Sequence, residues 1–130
     1  KVFLLLLGKA FEKYGPEIEK NQQVLLSLSD LAIEAYLSES TLKRTIKNIN
    51  RSSVDDQFDQ INMTKLYIYE ACQIVLKKSS DVVNSIIDLK GQNDIYRSIT
   101  DKLRYSENPN IFELKTKIAE KIISENRYCF

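Results

Sequence analysis

Histidine and tryptophan are absent from this 130-residue chain, and glycine (3), proline (2), cysteine (2) and methionine (1) are scarce. Without histidine there is no Ser-His-Asp or Cys-His catalysis and no His-ligated metal. So few glycines and prolines do not supply the turns a β-sandwich needs. Gly8, Gly15 and Gly91 stand alone, at or inside helical stretches, so no phosphate-cradling glycine loop is present. Cys72 and Cys129 have no paired spacing. Cys72 falls on an apolar helix face and reads as a small buried hydrophobe; Cys129 reads as exposed, and a reducing compartment fits both. A net charge of +1 gives no field for steering a polyanion or an anionic membrane. The apolar run Val2 to Leu7 falls far short of a membrane span, and no secretory signal pattern is visible.

What is present is helical periodicity. A hydrophobic fraction of 43% and a charged fraction of 28% suit an ordinary soluble domain. The length suits one domain with a core of its own. The chain opens at Lys1 already in a helical pattern, and it reads as a C-terminal fragment of a larger chain, a single helical-bundle domain over residues 1–130. A first helix is predicted over Val2 to Tyr14, with Phe3, Leu7, Ala10 or Phe11, and Tyr14 on one face. Leu4, Leu5 and Leu6 make its first turns apolar all round, which predicts burial on more than one side, partly against chain that precedes it. Gly15 ends it and Pro16 restarts the chain.

The second helix is predicted from Glu17 to about Asn48. Leu25, Leu28, Ala32, Ala35, Glu39, Leu42, Ile46 and Ile49 recur at 3-4 spacing, the seam of a helix laid on another helix. Leu26, Ile33 and Leu37 add a second apolar face to its first half, which places that half deep in a bundle and the second half nearer an edge. A third helix follows a polar turn, with Ser53 and Asp56 as its cap. It carries Phe58, Ile61, Lys65, Ile68, Cys72, Val75, Ser79, Val82 and Ile86, and runs to about Leu89 before Gly91 stops it. A fourth helix fits Asp94 to Arg104, capped by Asn93. A fifth begins at Asn110, whose spacing to Glu113 is that of a capping box, and shows Ile111, Leu114, Ile118 and Ile122 as its stripe. The predicted fold is all-α, an antiparallel bundle of four to five helices built around one long central helix.

Glu39 is the odd residue of its seam, where a carboxylate is costly unless something meets it. With the interhelical turn centred between Arg51 and Ser53, residues whose numbers sum to about 104 lie level. Glu39 then faces Lys65, the charged residue of the opposing seam. A partly buried Glu39–Lys65 ion pair, fixing the register of two long helices, is one expectation. The alternative is that Glu39 rolls to the solvent edge and pairs with Lys43 at i+4.

No constellation assembles a catalytic site. Asp55-Asp56 is explained as a helix start. Asp30 and Glu34 lack the histidines a di-metal bundle needs. Tyr36, Tyr67 and Tyr69 invite a ligand pocket or base-stacking surface, but core packing with the hydroxyls at the edge accounts for them. Lys43, Arg44, Lys47 and Arg51 are too few, and too well balanced by acids, for nucleic-acid binding; a solvated helix face is the better account. No catalytic, cofactor-binding or metal residue is therefore assigned.

LSDLAIEAYLSESTLKRT (Leu28 to Thr45), MTKLYIYEACQIV (Met63 to Val75) and the closing RYCF (Arg127 to Phe130) resemble the C-terminal helical extension of bacterial acyl-CoA dehydrogenases, the long forms akin to very-long-chain enzymes. The resemblance covers nearly the whole chain. It implies a parent enzyme that uses FAD to remove two hydrogens from the α and β carbons of a fatty acyl-CoA, in the cytoplasm, as part of fatty acid oxidation. It implies an all-helical accessory domain that packs on the upstream dehydrogenase body and takes part in a homo-oligomer, with no FAD bound by the extension itself. The catalytic glutamate and the flavin-binding segments belong to that body, so the resemblance assigns no role in catalysis to Glu39. The mitochondrial enzymes' membrane association finds no lysine-rich amphipathic segment here to carry it. Two other readings remain at this stage: a free-standing helical interaction module without enzymatic activity, and a membrane-surface bundle that uses Val2 to Leu7 as its contact.

Overall fold

A computed structural model describes residues 1–51, 54–104 and 109–126, with residues 54–56 described by their backbone alone. The expected Ser53–Asp56 cap, the loop residues 106–108 and Cys129 lie outside these side chains. Among the described residues every regular element is helical, as the periodicity predicts: α1 (Val2–Tyr14), a 3-10 helix (Gly15–Lys20), α2 (Gln22–Ile49), α3 (Val54–Ile86), α4 (Leu89–Leu103) and α5 (Ile111–Glu125). The chain forms two compact units. The first gathers Lys1–Tyr36 and Cys72–Arg104; the second holds Leu37–Ala71 with α5. Both long helices thus contribute one half to each unit.

The first helix has the predicted bounds, and the stop at Gly15 has a backbone cause. Gly15 takes φ 51° and ψ −132°, a conformation open in practice only to glycine. The restart differs from the prediction. Pro16 opens a short 3-10 helix, and Asn21 breaks it before α2 begins at Gln22. Gly91 also differs. α3 ends at Ile86, Asp88 stands before the next helix, and Gly91 lies inside the first turns of α4. An isolated glycine lowers helix propensity by only about 1 kcal/mol, so it need not stop a helix whose apolar face is packed. α5 starts as predicted: the Asn110 side chain accepts from the Glu113 backbone N–H at 3.2 Å.

The first unit owns the apolar core. Val2, Leu6 and Ala10 of α1 are buried with Ile18. Val24, Leu28 and Leu31 of α2 join them, facing Val82, Val83 and Ile86 of α3 and Ile99 of α4. The buried face of α1 is therefore Val2–Leu6–Ala10, with Phe3, Leu7 and Tyr14 packed at its margins. Leu4 and Phe11 are on the outside, 67% and 54% exposed. Polar contacts tie the unit's edges: Lys78 Nζ to Asp30 at 2.6 Å, and the Tyr96 hydroxyl to Asn84 Oδ1 at 2.8 Å. Asp30 beside it holds the Lys78 ammonium above its ordinary pKa.

The second unit is built differently. Its buried side chains are Thr45, Asn62, Thr64 and Ala71. Thr45 and Thr64 bond to each other through their hydroxyls at 2.6 Å, which fastens α2 to α3. The Gln57 amide donates to the Ile49 carbonyl at 2.7 Å and satisfies one of the orphan acceptors at the end of α2. α5 lies along α3, with Lys115 Nζ 2.7 Å from Glu70 and Lys121 Nζ 3.4 Å from Asp59. Its stripe Ile111, Leu114, Ile118 and Ile122 is the half-buried side, as predicted.

Candidate functional site: a polar groove between two long helices

The two charged residues singled out from the sequence are not brought together. Glu39 is exposed, and its carboxylate pairs with Lys43 one turn along the same helix. That bond and the Lys43 charge hold the Glu39 pKa below its ordinary value. Lys65 is half-buried on α3 and belongs to other contacts. Two physical causes separate them. The register is set by about one turn from the expectation: Thr45 lies against Thr64 and Asp30 against Lys78, where the predicted turn would have matched them with Asp59 and Ile74. The seam also leaves the interior: Leu28 is buried, whereas Ala35, Leu42 and Ile46 of the same seam are exposed.

In place of the seam, the second half of α2 turns Ser38, Thr41, Thr45 and Asn48 inward, all buried or half-buried at helical spacing. This polar stripe was visible in the sequence as hydroxyl and amide residues three and four apart, and the stronger apolar pattern beside it masked it. Above the Thr45–Thr64 bond the helices part into a groove of about 900 Å³. From α2 it is lined by Leu37, Ser40, Thr41, Arg44, Thr45 and Asn48, and from α3 by Gln60, Met63, Thr64 and Tyr67. The Gln60 side-chain oxygen is closed off from solvent and meets no hydrogen-bond donor among the described residues. Arg44 is exposed and forms no ion pair among them, as is also true of Lys47, Lys77 and Arg97.

The groove offers hydrogen bonds and one positive charge. Among its described lining residues no nucleophile stands beside a base and no acid–base pair is formed. A second hollow, in the first unit, is lined by charges of both signs, including Lys9, Glu12, Lys13, Asp88 and Asp94. Lys9 and Glu12 neutralise one another there at 2.7 Å. Cys72 is half-buried on α3, and burial raises its thiol pKa, the opposite of what a reactive cysteine needs. Tyr67 and Tyr69 are half-buried and Tyr36 is exposed at 70%, so the three do not form one packed aromatic cluster. Among the described residues no three His, Cys, Asp or Glu side chains gather to hold a metal, and no helix is long and apolar enough to cross a membrane.

A probable acyl-CoA dehydrogenase of Bacillus subtilis (strain 168) is 24% identical over 131 residues, which takes in 98% of this chain and 21% of that protein. The crystal structure of an acyl-CoA dehydrogenase complexed with FAD from Bacillus anthracis superposes on 99% of this chain and 22% of its own, with a TM-score of 0.92 and 23% identity. This chain spans about a fifth of the length of either relative. Residues 1–100 match the family described as acyl-CoA dehydrogenase, C-terminal domain, and the chain belongs to that family.

Proposed function

We propose that this chain is an accessory domain of an FAD-dependent acyl-CoA dehydrogenase that oxidises fatty acyl-CoA in the cytoplasm. It carries no catalytic residue of its own. Its work is to pack on the dehydrogenase body and to support subunit association. The observation that carries the reading is the set of large apolar side chains the fold leaves outside. Leu4 and Phe11 share one outer stripe of α1, with the small Gly8 between them. Leu26 and Ile33 are exposed on α2, and Phe112 and Ile123 stand 85% and 77% exposed on α5. Exposed apolar stripes on several helices are what an interaction surface looks like before its partner covers it. The small share of the relatives' length that this chain spans supports the same reading, because it leaves a large body for those stripes to meet.

The test is a pair of substitutions, Leu4→Ser with Phe11→Ser, made in the full-length protein. The domain should keep its helicity, because neither side chain belongs to its core. The full-length melt should drop by several degrees and separate into two transitions as the domain comes off the body. A single, unshifted transition would sink the proposal.

A further inference from the structure

α5 carries two apolar stripes. Ile111, Leu114, Ile118 and Ile122 form its half-buried side. Phe112, Thr116, Ala119 and Ile123 recur at 4-3-4 spacing on another side, and all four are exposed. A surface helix that serves only its own domain needs one apolar stripe, and the rest of it is polar. The Thr116 hydroxyl donates to the Phe112 carbonyl at 2.9 Å, so it brings no unmet donor to the second stripe. The charges beside that stripe say what fits it. Spaced four, three and four, its members take the d, a, d and a positions of two heptads. Lys115 then falls at g on one flank, and Glu120 at the following e on the other. In a parallel pair of such helices, the g residue of one helix meets the e residue five places on in its partner. An antiparallel pair would set each flank against its own kind, with Glu113 and Glu120 facing the same two carboxylates. Glu120 has no ion pair among the described residues, and Lys115 meets Glu70 in an exposed bridge that holds it only weakly.

We propose that this stripe is a self-association seam, in which α5 of one copy packs parallel to α5 of a second copy across a two-fold axis. Phe112 meets its counterpart at one end and Ile123 meets its own at the other, with the small Ala119 letting the helices approach between them. Lys115 reaches the partner's Glu120, and symmetry supplies the pair twice. Two heptads make a short seam, so it adds to the contacts of the longer chain and does not hold two copies together unaided. This rests on the reading that the domain supports subunit association, and it names the place, the partner and the polarity of that contact.

The experiment uses the full-length protein. Ala119→Cys places a thiol in the seam, and Lys117→Cys places one off it. Mild oxidation should link two copies through position 119 at a yield several-fold above position 117, with the linked peptides identified by mapping. Glu120→Lys added to Ala119→Cys should cut that yield several-fold. Co-expression with a protein carrying Ala119→Cys and Lys115→Glu should restore it in the mixed pair, which is recognised by its peptide masses. Equal linking at the two positions overturns the proposal. So does a mixture of Thr116→Cys and Ala119→Cys proteins that links 116 to 119 in preference to 119 to 119, the mark of an antiparallel pair. An absent 119 link overturns it too; protection of Phe112 from hydroxyl-radical oxidation would then assign the stripe to the dehydrogenase body. Sedimentation separates the seam from the reading it rests on. An oligomer without the 119 link sinks the seam alone, and a monomer sinks both.

Discussion

Glu39 shows how little a charged residue's place in a sequence pattern decides. It sits in the middle of a 3-4 repeat, yet it is exposed and paired with Lys43 on its own helix. Such a solvent-exposed pair contributes little, so Glu39→Gln should leave the urea midpoint almost unchanged. Its pH signature has a definite sign. The folded pKa lies below the ordinary value of 4.5, so the pair's contribution is present above that value and is lost as pH falls through the folded pKa. NMR titration of the Glu39 side chain should place its midpoint below the ordinary glutamate value, and Lys43→Met should return it there. A midpoint that ignores Lys43→Met would show that the pair does not form. Thr45 and Thr64 are the opposite case, two neutral residues that matter because they are buried together. Thr45→Val alone leaves the Thr64 hydroxyl without its partner and should cost ~1–3 kcal/mol in urea unfolding. Thr45→Val with Thr64→Val removes both hydroxyls at constant shape and should recover most of that loss. Additive losses in the double variant would mean that the two hydroxyls do not depend on each other.

At the scale of the element, the helix ends were legible wherever the backbone itself enforces them. Gly15 ends α1 and Asn110 starts α5, as their residue types predict. Gly91 misled because a glycine reads as a stop only when nothing else holds the helix, and the buried Ile99 holds α4 against the core. The two glycines of the first helix region should respond to alanine with opposite signs. Gly8 is inside α1 with open space where a Cβ would stand, so Gly8→Ala should stabilise the 130-residue chain by about 0.8–1 kcal/mol. Gly15 also has open space, but its φ of +51° strains any side-chain-bearing residue, so Gly15→Ala should destabilise by ~1–3 kcal/mol. Thermal melts of the two variants should move to opposite sides of the parent. A shift of the same sign in both would refute the assignment of Gly15 as a conformational stop.

At the scale of the whole molecule, the apolar residues of α2 meet two fates. Leu31 is 2% exposed in the core of the first unit, and Ile46, four turns along the same helix, is 55% exposed in the second. Leu31→Ala should cost ~2–5 kcal/mol in the 130-residue chain through lost burial and an unfilled cavity. Ile46→Ala should stay within about 0.5 kcal/mol there. Urea unfolding of both variants checks this, and equal losses would mean that Ile46 is packed inside. The first unit is a core-bearing helical assembly, and the second holds its interior with hydroxyls, amides and surface ion pairs. Apolar residues that its own interior does not use, such as Phe112 and Ile123, stay exposed.

Leu26, Ile33 and Leu37 stand exposed, against the expectation that their second apolar face would lie deep in a bundle. The all-helical class, the bounds of α1, and the cap and inner stripe of α5 are legible in the residues alone. Those features depend on local backbone preference and on periodicity within a single helix, and both are written residue by residue. The sequence's resemblance to an acyl-CoA dehydrogenase extension also pointed to the family that the comparison of residues 1–100 bears out. The register of α2 on α3 and the side of α2 that faces inward emerge only when the helices are packed together. The tertiary structure alone decided that Thr45 meets Thr64 while Glu39 turns to Lys43, and that a polar groove opens above Arg44 and Gln60. The reason is geometric. A one-turn change of register moves a side chain about 5 Å along its partner. That shift is not visible until two helices are placed against each other.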